Sequence, residues 1–137
     1  MIHPNGGGYV AEDAYVAETA YVGPNAKVLD RACILDYACI AGCAIVCGTA
    51  VIRDNAAIKD FALVSNSEIC NDAIICDYAR ILEYVTVKNR AVVKGHATVS
   101  LDTIIKDDAV VKDCAVVEGY GVVSGTTVIS DNQRIFS

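Results

Sequence analysis

Valine or isoleucine recurs at every sixth residue from Val10 to Val64 and again from Ile69 to Ile135, 22 positions in all. Two residues before most of these anchors stands alanine, as at Ala14, Ala20, Ala32, Ala56, Ala79 and Ala97. Two residues after them stands Asp, Asn or Gly, as at Asp30, Gly48, Asp60, Asn71, Gly95 and Asp113. Strand side chains alternate sides with period two, so small–x–aliphatic reads as one short strand with two inward residues. Asp, Asn and Gly are the residues that best tolerate left-handed backbone, so each strand is followed by a corner. A helical solenoid would need a 3.6-residue period and a sandwich would need varied turn lengths; neither describes this chain. The pattern predicts an all-β repeat array.

The period is broken once. Val64 is followed by Ile69 after five residues, and Ser65 and Asn66 lead directly into Ser67 at the small position, so the missing residue belongs to a corner. Turns tolerate length changes better than strands do, and the expectation is one compressed corner inside a continuous array. The functional alternative is that the tight corner shapes a pocket.

Units such as "AVIRDN", "TIIKDD" and "AVVKDC" resemble the hexapeptide repeat of the left-handed parallel β-helix superfamily, and the resemblance runs from about residue 8 to residue 135. It implies a single-stranded left-handed parallel β-helix, a triangular prism solenoid in which three hexads close each coil. About seven coils at the strand spacing would make a prism about 35 Å long, with no helical insertion. The expected division is an N-terminal cap over residues 1–7, the β-helix over 8–135 and a tail at 136–137.

A formal charge of −6, with Lys and Arg spread singly, argues against a phosphate-tracking surface, and no nucleic-acid partner is expected. Apolar runs fall short of the roughly 18 residues needed to cross a bilayer, and MIHPNGGG lacks the apolar core of a signal peptide. The expectations are no membrane partner and a cytoplasmic location. Seven cysteines without a CxxC pair suit neither a disulfide framework nor a zinc ribbon and read as small reduced hydrophobes.

Assigning successive hexads to three faces turns the sequence into columns. The column just before the anchors on one face is Tyr21, Cys39, Ala57, Ile74, Val92, Val110 and Val128, without a charge. Monomers rarely leave an apolar stripe bare, so this face is the predicted interface of a homo-oligomer, dimer or trimer. The alternative is a monomer in which Lys59, Lys94 and Lys112 drape over the stripe.

One corner column stacks Phe61, Tyr78, His96 and Cys114, a candidate binding ladder. The family resemblance implies acyltransferase chemistry for many members, with a histidine as general base in a cleft between subunits. His96, the one histidine inside the array, is the catalytic candidate, with acetyl-CoA or another acyl-CoA as cofactor only in that case. The bland reading is a surface ladder. A Cys114–His96 thiol–imidazole pair would need hydrogen-bond geometry that column position alone does not supply. Asp72, Arg90 and Asp108 read as a solvated charge ladder. No dense acidic loop offers the six or more oxygens that calcium needs, so no metal is expected. The chain lacks the long loop inserted between coils that acyltransferases of the resembled family carry. Its threonines do not align as they do in ice-binding relatives. The resemblance is closest to unbroken bacterial hexapeptide arrays to which a transferase activity is commonly ascribed without a demonstrated reaction. The preferred expectation is therefore a non-catalytic scaffold or binding module that needs no cofactor.

Overall fold

A computed structural model describes residues 1–136 of the chain; Ser137, half of the predicted tail, lies outside the described residues. The described residues contain no helix and form 22 strands of two or three residues, each carrying one of the Val/Ile anchors. The strands stack into three parallel sheets of eight, seven and seven strands. Every strand but the last three pairs with the strand three places on, so the chain winds as a β-solenoid of about seven turns.

The sheets are named here by their first residue. The Tyr9 sheet runs from Tyr9–Val10 to Arg134–Phe136, the Tyr15 sheet from Tyr15–Val16 to Val122–Val123, and the Tyr21 sheet from Tyr21–Val22 to Val128–Ile129. Register aligns anchor with anchor. Ile58 pairs with Ile75 and Ile75 with Val93, so branched side chains of neighbouring coils lie one strand spacing apart inside the prism. Ile34, Ile52, Ile69 and Ile81 are among the fully buried residues, and the alanine track fills the space beside them.

All 22 anchors keep the anchor register, but burial is incomplete at the ends. Val16 is half-buried and Ile135 is 37% exposed, because terminal coils have no neighbour on one side. At the N-terminal end residues 1–8 fold back across the first coil. Ile2 bridges Tyr9 in antiparallel fashion, Gly8 N–H donates to Val22 O at 2.9 Å, and Val22 N–H donates to Asn5 O at 3.0 Å. His3 is buried there and donates from Nε2 to Ala20 O at 2.8 Å. These contacts satisfy backbone groups that a bare solenoid end would expose.

The corners explain the Asp/Asn/Gly track. Asp30, Asp36, Asp54, Asp60, Asn71, Asp77, Asn89, Asp107, Asp113 and Asp131 all have φ between 55° and 59°. Their side chains do a second job. Asp36 Oδ2 accepts from Asp54 N–H, Asp54 Oδ2 from Asn71 N–H, Asn71 Oδ1 from Asn89 N–H, and Asn89 Oδ1 from Asp107 N–H, all at 2.9–3.0 Å. Each turn thus supplies an acceptor to the turn of the next coil, where the exposed corner has no strand ladder to do so.

The five-residue step leaves all three sheets continuous: Leu63–Ser65 pairs on both sides, and so does Glu68–Ile69. Its effect is on the polarity of the one corner column that joins the Tyr9 sheet to the Tyr15 sheet. Before the step, Arg31 N–H donates to Gly48 O in the following coil at 3.1 Å. After it the direction in this column reverses: Tyr84 N–H donates back to Asn66 O at 2.8 Å, Asp102 N–H to Glu83 O at 3.2 Å, and Tyr120 N–H to Leu101 O at 3.0 Å, while the other columns keep the forward direction, as in His96 N–H to Asp113 O at 2.7 Å. The later corners of this column then hold two consecutive left-handed residues, Glu83–Tyr84, Leu101–Asp102 and Gly119–Tyr120. Asn66 is the junction, since its Oδ1 also accepts from Thr49 N–H at 3.0 Å in the preceding coil.

Candidate functional site

Two predicted columns and a hollow at the five-residue step are the places where this regular prism carries chemistry. Register places Tyr21, Cys39, Ala57, Ile74, Val92, Val110 and Val128 opposite one another in consecutive coils of the Tyr21 sheet. The column is exposed at its ends, Tyr21 at 37% and Val128 at 52%, and half-buried between them. The small or apolar residues give way to Lys59, Cys76, Lys94 and Lys112 on the other side of the anchors. Lys59 lies near the Cys39 thiol. Burial pushes that thiol above its ordinary pKa, and the Lys59 charge partly opposes the shift. Burial, followed by the Asp77 charge, does the same to Cys76.

The neighbouring corner carries the aromatic ladder. Phe61 and Tyr78 stack with ring centroids 5.1 Å apart and planes within 5°, and Tyr78 and His96 at 4.8 Å within 3°. Coil spacing imposes this separation, because identical corner positions repeat at the distance between paired strands. His96 is exposed, and its imidazole makes no hydrogen bond with another described residue. Cys114 occupies the following coil, exposed, and no hydrogen bond joins its thiol to His96 among the described residues. The ladder is therefore an aromatic stack, and the thiol–imidazole geometry that nucleophilic chemistry requires is not formed.

Beside the ladder, ligand atoms of Asp60, Cys76 and Asp77 lie within 4.8 Å of one another. One oxygen of each carboxylate is already engaged: Asp60 Oδ2 accepts from Asp77 N–H and Asp77 Oδ2 from Gly95 N–H, both at 3.0 Å. In the charge ladder at another corner, Arg90 and Asp108 form a two-pronged pair at 2.7 and 3.0 Å. Hydrogen bonding from Arg90 holds the Asp108 carboxyl below its usual range, while Asp72 acts on Arg90 only through its charge.

The sequence columns did not assemble the hollow at the five-residue step. Removing one corner residue leaves an open depression of about 270 Å3 between Thr49 above and Tyr84 below, extending to Val51, Glu68 and Thr86 on the Tyr15 face. Ser67 forms its floor, donating to Ser65 O at 2.9 Å and accepting from Val85 N–H at 3.1 Å. Glu68 Oε2 accepts from Arg53 Nε at 3.1 Å, and this hydrogen bond raises the Arg53 pKa further. The broken period was the only signal of this site in the sequence.

The fold and these corners define a parallel β-solenoid with ladder-bearing edges. Comparison with protein-family models, with curated proteins and with solved structures finds no match.

Proposed function

We propose that this chain is a non-catalytic scaffold of the left-handed hexapeptide-repeat kind that self-associates through the Tyr21 face. The observation that carries the reading is the register of that face, which aligns seven uncharged residues from Tyr21 to Val128 along the prism. Burying such a stripe against a second copy removes apolar area from water at about 25 cal/mol per Å2, without first desolvating a charge in the column. The test is light scattering of the wild type and of Val92→Asp over a range of concentrations. A multiple of the chain mass for the wild type, reduced to the monomer in a variant with unchanged circular dichroism, supports the proposal. A monomeric wild type at every concentration refutes it.

A second reading has one observation in its favour: His96, exposed and stacked on Tyr78 with no hydrogen bond from its imidazole among the described residues, stands at the corner bordering the association face. A partner docked there would build a wall beside it. In this reading the assembly is a minimal acyltransferase using acetyl-CoA or a related acyl-CoA, with His96 as general base. Acetyl-CoA must then raise the melting temperature, and His96→Ala must abolish acyl transfer. An unmoved melting temperature with a silent His96→Ala removes this reading and leaves the scaffold intact.

A further inference from the structure

We propose that the hollow at the five-residue step is a binding site for one neutral hexopyranose unit. Its volume of about 270 Å3 lies just under the roughly 300 Å3 at which pockets for drug-sized ligands begin, so the occupant is about one ring in size. Charge narrows the class. Glu68 is the only formally charged residue lining it, and its carboxylate is already paired with Arg53, so an ammonium gains little. No cationic side chain lines the hollow, so phosphates, carboxylates and nucleotides find no counter-charge.

What remains is hydroxyl chemistry. The Thr86 and Tyr84 hydroxyls have no hydrogen-bond partner among the described residues, and each can donate and accept. The Thr49 hydroxyl makes only a long bond of 3.4 Å to Asn66 Oδ1, and the second oxygen of Glu68 is an unused acceptor. These groups come from three successive coils and face one opening. A pyranose presents adjacent hydroxyls that both give and take protons, which is the pattern this set lacks a partner for. Its C–H surface suits the apolar contribution of Val51 and the Tyr84 ring. The backbone at its lower edge is left-handed at both Glu83 and Tyr84, with φ of 59° and 67°.

The test is a proton–nitrogen correlation titration of the whole chain with the methyl glycosides of glucose, galactose and mannose and with N-acetylglucosamine. Glycerol and glucose 6-phosphate serve as comparators. At least one neutral glycoside is expected to give saturable shifts confined to Thr49, Ser67, Glu68, Val85 and Thr86, while glycerol gives none and the phosphorylated sugar binds more weakly. Thr86→Val, nearly isosteric at a half-buried outward position, should weaken binding by roughly tenfold, the loss of about one hydrogen bond. Inserting glycine between Asn66 and Ser67 restores the six-residue step and should abolish binding. If that insertion misfolds, Thr86→Val alone decides. No saturable shift with any glycoside, equal shifts with glycerol, or full affinity in Thr86→Val would overturn the proposal.

Discussion

Ile75→Ala tests the physical basis of the whole prism. Ile75 is fully buried, and register sets it between Ile58 and Val93 in the coils on either side. The backbone around it is fixed by Lys59 N–H to Ile75 O at 2.9 Å and Cys76 N–H to Val93 O at 3.0 Å, so neighbouring coils cannot close over the space left behind. Removing three carbons forfeits about 2.4 kcal/mol of transfer free energy, and the persistent cavity adds to it, for an expected loss of about 3–4 kcal/mol. Ile135→Ala is the internal control: the same atoms leave a side chain that is 37% exposed in the last coil, and the expected loss is about 1 kcal/mol. Urea unfolding followed by circular dichroism measures both, with the denaturant slope expected to stay constant. Equal losses in the two variants, within about 0.5 kcal/mol, would show that the anchor seam does not hold the coils together as argued.

Two further outcomes follow from the corners and thiols. Asn71→Gly keeps the left-handed turn but removes the acceptor of Asn89 N–H and should cost about 1 kcal/mol. Asn71→Ala adds backbone strain and should cost about 1 kcal/mol more, and equal melting temperatures would separate the turn from its ladder role. Alkylation followed by mass spectrometry at neutral pH should modify the exposed Cys43 and Cys114 first. Cys39, Cys70 and Cys76, whose pKa values burial raises, should lag and catch up as the pH rises, because the thiolate is the reacting form; uniform labelling would contradict this order.

Much of the candidate surface was legible because one-dimensional spacing maps directly onto columns. Phe61, Tyr78 and His96 stack as their spacing of one coil, 17 and then 18 residues, required, and the Tyr21 column falls in register through all seven coils. The link between Arg90 and Asp72 was less legible: both are placed in one column, yet only Asp108 meets the guanidinium, because side-chain direction is not fixed by the column. The five-residue step was visible, and a pocket there was its functional alternative, but the reversed corner peptides were not legible. Sequence marks where a residue is missing; it does not tell which way the corner peptide then turns.

By itself, then, the sequence determined the period, the inward and outward assignment of nearly every residue, and the winding into stacked strands, since strand alternation and turn preference act locally and repeat. The tertiary structure alone decided what happens where neighbouring coils differ: how residues 1–8 fold over the first coil, the exposure of Ile135, the reversed hydrogen bonds beyond Asn66 and the hollow beside Thr86. Those features arise where one coil meets the next or has no next coil to meet, and their free energy depends on which groups the neighbouring coil leaves unpaired.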